Sequence, residues 1–197
     1  MTSILAKGGF KAWPDLLDFL QQSLESNNLE SLEAALDCIA KIIEDLRVNS
    51  ENCSFFYASK AGNSVDTLIP KLFNFCNAPF NNRIREAAIL CLDLSIFSMP
   101  PALTSNIQNF LKILVNATVD PDPKIRLRGY QGLVSLNETR NDLIMANENG
   151  LLERIIEGMR DNDYEVARNA ISFWPEFLLY DMENQNKAKA LKRILNP

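Results

Sequence analysis

The sequence contains no histidine. That removes the commonest general base, the commonest metal ligand and any Ser–His or Cys–His dyad. Neither GxxxxGK[ST] nor GxGxxG occurs, so the common glycine-rich phosphate cradles are missing. Glycine is scarce, at 7 of 197 residues, and alternating apolar–polar runs are few, which argues against an all-β fold. No apolar run approaches the roughly 18 residues of a membrane span. The opening MTSILAKGGFKAW lacks the apolar core of a signal peptide. Cys38, Cys53, Cys76 and Cys91 show no CxxC spacing and read as free thiols in a reducing compartment. The net charge of -5 argues against an unassisted binder of nucleic-acid backbone, which needs a basic face.

What is present is a helical pattern that repeats. Ile84, Ile125 and Val166 stand 41 residues apart. Three residues before each comes a helix-capping type: Asn81, Asp122, Asp163. Four residues after each comes a small residue: Ala88, Gly129, Ala170. Seven and eight after come Cys91–Leu92, Gly132–Leu133 and Phe173–Trp174, so the offsets trace one face of a helix. Ser31 anchors an earlier copy, with Asn28 as its cap and Ala35, Cys38 and Ile39 in register. Fifteen residues before the anchors stand Leu16, Ile69, Phe110 and Leu151; eleven before stand Leu20, Phe73, Leu114 and Ile155. Each unit is therefore a helix A, a tight turn and a helix B. The A helices are expected near 14–26, 65–77, 104–118 and 143–160, and the B helices near 29–46, 82–98, 123–138 and 164–180. The repeats span about 13–46, 65–98, 104–138 and 143–180, with a partial repeat at 182–197 whose Met182–Leu195 reads as a fifth A helix.

Helix pairs with an apolar face that only a neighbour can bury predict an all-α, right-handed, curved solenoid in one array over 1–197. Its unbalanced ends are expected because the chain reads as a piece of a longer solenoid, a capped domain being the alternative. The small residues after the anchors predict close helix approach, so that bulk at Gly129 or Ala170 overpacks. Arg47–Ser64 reads as an elongated inter-repeat loop in which Phe55, Phe56 and Tyr57 tuck against a neighbour. Pro175 is expected to bend the last B helix.

Chemistry-bearing clusters are few. Cys38 and Cys91 share a buried offset and read as core rather than zinc ligands. Asp120/Asp122 and Asp161/Asp163 lie in A–B turns, where capping is the expected role and calcium or acid–base chemistry the competing one. Arg85 and Arg126 either hold an anion or reach the turn aspartates of adjacent repeats as a ladder. Lys187, Lys189, Lys192 and Arg193 form one basic cluster, placed late in a helix where cations suit the dipole, a nucleic-acid patch being the competing reading. No cofactor and no enzymatic activity are expected.

The B-helix offsets +2, +6, +9 and +13 should face away from helix A. In the first unit these are Glu33, Asp37, Ala40 and Glu44, and in the second Glu86, Leu90, Asp93 and Phe97. The strip fades at Leu127, Gln131 and Val134 and again at Arg168, Ser172 and Pro175. It reads either as a solvated helix face or as a surface that docks a basic partner by charge.

The period, the D-x-x-[IV]-R type turns and the small residue that follows resemble HEAT repeats. Trp13-Pro14-Asp15-Leu16-Leu17 and Leu68-Ile69-Pro70-Lys71-Leu72 resemble helix-A openings of importin-β-type karyopherins. ARNAISFWPEF, from Ala167 to Phe177, is similar to a segment of the transportin branch. The order and spacing of these strings resemble the amino-terminal arch of that family. The resemblance implies a nuclear import receptor that binds Ran in its GTP form and carries signal-bearing cargo through the nuclear pore, between cytoplasm and nucleus. It implies Glu33, Asp37, Glu44, Glu86, Asp93 and Phe97 as part of the Ran-facing surface. By that resemblance the first repeats, the long acidic loop and the cargo site of the family are expected to lie outside this stretch. A HEAT scaffold or regulatory subunit outside transport is the alternative.

Overall fold

The computed structural model describes residues 15–48, 65–77 and 80–183. Among them every regular element is a helix. The chain divides into two compact units, the first reaching Phe110 and the second starting at Leu111.

In the first unit α1 (Leu16–Leu24) buries Leu16, Leu20 and Leu24, one residue per turn on a single face. It packs on α2 (Leu29–Val48), whose Leu32, Leu36, Ile39 and Ile43 are buried. Asn28 caps α2, its side-chain oxygen accepting from Glu30 N at 2.9 Å and Ser31 N at 3.3 Å. A 3-10 turn at Val65–Thr67 leads into α3 (Ile69–Phe75), with Pro70 in the first turn, where its missing N–H costs nothing. Next comes α4 (Asn82–Ser95), capped by Asn81 through Ile84 N at 2.9 Å. This helix packs on both α3 and α2. Its Cys91 thiol donates to the Leu36 carbonyl of α2 at 3.3 Å. Then α5 (Pro101–Ser105) follows, and Asp66 accepts from Ala102 N at 2.7 Å, fixing it to the 3-10 turn. Phe110 ends the unit with its ring edge-on to Phe73, centroids 6.3 Å apart.

The unit boundary falls within α6 (Ile107–Ala117). In the second unit α7 (Pro123–Thr139) is capped by Asp122 through Lys124 N. Gly129 brings it against the end of α6: a Cβ there would lie 2.9 Å from Thr118 N, 3.0 Å from Leu114 O and 3.1 Å from Ala117 C. The next A helix is in two pieces, α8 (Asn141–Ala146) and α9 (Glu148–Gly158). Tyr130 of α7 is buried against α9, its hydroxyl donating to the Arg154 carbonyl at 3.0 Å. Its ring sits where Gly158 has no side chain, since a Cβ there would be 2.2 Å from Tyr130 Cζ. The last B helix is α10 (Tyr164–Ser172), capped by Asp163 through Glu165 N and Val166 N, followed by α11 (Trp174–Glu183).

These boundaries amend the expected helices. The A helices expected at 104–118 and 143–160 are each preceded by a short helix that bends at an asparagine. Asn106 and Asn147 share nearly the same backbone angles, φ -117 and -119 with ψ 17 and 16. Each side-chain amide donates back to a carbonyl four residues earlier, Ala102 O and Leu143 O, both at 2.8 Å. That bond satisfies a carbonyl left open by the break. The bend expected from Pro175 is an interruption at Phe173, two residues earlier. Pro175 tolerates the second position of a new helix and not the middle of an old one. The Phe173 carbonyl accepts from buried Asn137 of α7 at 3.0 Å, and Asn137 accepts from Asn141 at 2.7 Å. Trp13–Pro14, the loop from Asn49 with Phe55–Tyr57, and Cys53 lie outside the described residues. So does the expected fifth A helix from residue 184 onward, with its basic cluster; Met182 and Glu183 close α11.

Candidate partner-docking surface

The expected surface belongs to α2 and α4 in the first unit, which lie side by side. Asp37 and Glu44 are exposed on α2, and Glu44 pairs with Lys41 one turn earlier at 2.6 Å. Glu33 is only 28% exposed at its side chain. It accepts from the Asn81 amide at 3.4 Å and faces Arg83 at 3.7 Å, so it ties the start of α4 to α2. On α4, Glu86 and Asp93 are half-buried. Phe97 stands beyond the helix end, in the turn after Ser95, and is 56% exposed.

The acidic character is concentrated on one helix. α2 carries Glu30, Glu33, Asp37, Glu44 and Asp45 against Lys41 and Arg47, whereas α4 sets Arg83 and Arg85 against Glu86 and Asp93. Ala40, expected on the open face, is 6% exposed. Because α2 is packed by both α1 and α4, its buried arc is wider than a single-partner reading allows. Cys38 departs the other way: it is half-buried while Cys91, at the same offset, is fully buried. Burial pushes the Cys76 thiol up to about 12, and it donates to the Leu72 carbonyl. Burial raises Cys38 as well. Thiols held this way stay protonated at neutral pH and are poor nucleophiles.

In the second unit the corresponding positions on α7, Leu127, Gln131 and Val134, are half-buried. On the last B helix and its continuation, Ser172 and Pro175 are exposed and Arg168 pairs with Glu165 at 2.6 Å.

The turn carboxylates are occupied as caps and rungs. Asp120 and Asp161 each accept from the backbone N–H two residues on, at 3.0 and 2.9 Å. Arg126 performs the expected ladder contact. Its guanidinium makes two parallel bonds to Asp161 of the next turn, at 2.7 and 2.8 Å. It also donates to the carbonyls of Asp120 and Pro121, at 3.0 and 3.1 Å. Arg85 contacts Asn82 of its own first turn at 3.2 Å.

Both sides of the Arg126–Asp161 pair are largely covered, with 19% and 12% of their side chains exposed. The paired guanidinium, helped by the Asp163 N–H, holds the Asp161 carboxyl below its usual range. A depressed carboxylate contributes stability above its unfolded pKa of about 3.9 and loses it as pH falls through the folded value. Asp161→Asn should therefore cost about 2 kcal/mol at pH 7, the scale of charged hydrogen bonds. The gap to the parent should be full at pH 7 and close in acid, once the pH has fallen through the lowered folded value. Urea unfolding at both pH values checks this, and a gap that persists in acid would assign the loss to packing instead.

No family model matches the chain. Over 176 residues, 88% of its length, it is 30% identical to a transportin of Dictyostelium discoideum. It is 28% identical to transportin-1 of Mus musculus and 27% to importin subunit beta-2 of Schizosaccharomyces pombe, over 174 residues each. The chain spans about a fifth of the length of these relatives: 18%, 19% and 18%. Among solved structures, importin beta crystallised from ammonium sulfate matches 94% of this chain and 23% of its own, with a TM-score of 0.69 at 18% identity. An engineered protein matches the whole chain and 79% of its own, at 0.65 and 15%. At those identities the structures show the fold alone, stacked helix pairs.

Proposed function

This chain is a run of HEAT repeats of the transportin and importin-β kind, and from that premise we propose that it works in nuclear import as karyopherin repeats that bind Ran in its GTP form. What carries this reading is the similarity to transportins over nearly nine-tenths of the chain. The exposed carboxylates of α2 support it as a charged docking face. Binding is non-covalent. Asp37 and Glu44 attract a basic partner surface at long range, Glu86 and Asp93 add local charge, and Phe97 offers apolar area at the edge. Glu33 acts mainly within the protein, because Asn81 and Arg83 already engage it. Cargo proteins and nuclear pore proteins are partners of the receptor to which such repeats contribute, and the protein moves between cytoplasm and nucleus.

The test is capture of the purified chain by Ran loaded with GTP or with GDP. Selective capture by the GTP form is expected. The double substitution Asp37→Lys/Glu44→Lys should weaken it by about tenfold, mostly through slower association at low salt, with helical content unchanged. Equal retention by both nucleotide forms, or by neither, would point to a HEAT scaffold outside transport.

A further inference from the structure

We propose that Asn149–Gly150 is a site of spontaneous deamidation, a built-in chemical modification of the second unit that needs no enzyme. It is the one Asn-Gly pair in the sequence. The reaction is closed on itself. The backbone nitrogen of Gly150, deprotonated, attacks Asn149 Cγ. A C–N bond forms there as the Cγ–Nδ2 bond breaks, and the side-chain NH2 takes up one proton from water and leaves as ammonia. Water then opens the five-membered imide at either carbonyl and gives aspartate or isoaspartate. Nothing is oxidised or reduced. Glycine at the attacking position presents no Cβ to obstruct the approach.

Helical backbone normally holds the two groups apart, so the position within the helix decides the rate. The pair lies in the first turn of α9, where backbone N–H groups have no intrahelical acceptor. Gly150 is exposed. The helix starts without a side-chain cap, since Asn147 turns its amide back to Leu143. The break at Asn147 separates this turn from α8, so it can open without disturbing what precedes it. The first buried residue after the pair is Leu151, at 4% exposure, so nothing apolar must be uncovered for Glu148–Gly150 to unwind. No neighbouring atom lies within 4 Å of where a Gly150 Cβ would stand, so neighbours do not hold the turn shut. Glycine also weakens the turn relative to alanine. By contrast Asn137 is buried, with its amide donating to Phe173 O.

The consequence is one added negative charge at a helix N-terminus. The aspartate product is favoured there by the helix dipole. The isoaspartate product lengthens the backbone by one atom and breaks the turn. To test this, the whole chain is incubated at pH 6 and at pH 8, then cut with trypsin. Cleavage after Arg140 and Arg154 releases residues 141–154, which carry Asn141, Asn147 and Asn149. Fragmentation should place the amide-to-acid mass change on Asn149, as two separable products, faster at pH 8. It should appear there before any asparagine beyond the first turn of a helix, such as Asn137 or Asn169. Gly150→Ala should slow it at least about fivefold, the factor by which alanine disfavours opening of the turn. This variant folds, because the position is open. Conversion elsewhere first, or an unchanged rate in Gly150→Ala, would overturn the proposal.

Discussion

Gly158→Ala should destabilise the second unit by about 3 kcal/mol, the upper end of what overpacking a core costs. The added methyl would stand 2.2 Å from Cζ and 2.3 Å from Oη of Tyr130. A flexible side-chain tip could swing away from such a contact, but this ring is only 2% exposed and its hydroxyl is bonded to Arg154 O. Moving it breaks that bond and displaces a buried ring. In urea the midpoint should fall while the slope stays constant, because the same surface is exposed on unfolding. Alanine elsewhere in the same helix makes the contrast: Gly150→Ala meets nothing and should stabilise by up to about 1 kcal/mol. Combining Gly158→Ala with Tyr130→Leu should recover at least about 1 kcal/mol over additivity, because the second change removes the ring the first one strikes. Strict additivity would rule out the clash.

Gly129→Leu should have the larger effect and abolish cooperative folding of the second unit. Here the neighbours of an added Cβ are backbone atoms, Thr118 N, Leu114 O and Ala117 C. A backbone cannot change rotamer, so α6 and α7 must separate and open apolar area around Leu114 and Leu133, both fully buried. Gly129→Ala is the graded version, expected to cost about 2 kcal/mol after its gain in helix propensity. Ala88 and Ala170 hold the same register position and are completely buried, so a methyl fits in those repeats. Hydrogen exchange on Gly129→Leu should show protection lost across α7 to α10 and kept in α1 to α4. Uniform protection throughout would sink the idea.

The parts of the fold legible in the sequence are those where one residue's own chemistry settles the outcome. Asn28, Asn81, Asp122 and Asp163 are recognisable as caps because capping needs only a short acceptor next to a helical run. Arg126 is recognisable as a rung because its neighbours in the period are aspartates. The asparagine bends escape such a reading, because the apolar spacing continues through them and periodicity does not register a change of axis. A signal is nonetheless present: Asn106 and Asn147 are 41 residues apart, the period itself. The interruption at Phe173 is announced by Pro175 but displaced, since proline excludes itself from a helix interior and not from a helix start. At the docking face, offsets separate buried from exposed positions only for a helix with one partner. They miss the burial of Ala40 and the engagement of Glu33, both products of α4 lying on α2.

The Arg126 fork has a mechanical side. Pulling α7 away from α10 would load its two bonds to Asp161 together, because they run parallel between the same two groups. An apolar seam parts one residue at a time, whereas a paired fork resists up to a limit and then releases both bonds in one event. The arginine would not be left empty-handed, because its other nitrogen still holds the Asp120 and Pro121 carbonyls of its own turn. It would remain aimed where Asp161 returns. Between these two repeats the contact works as a snap fastener, stiff under small loads and able to close again after a large one.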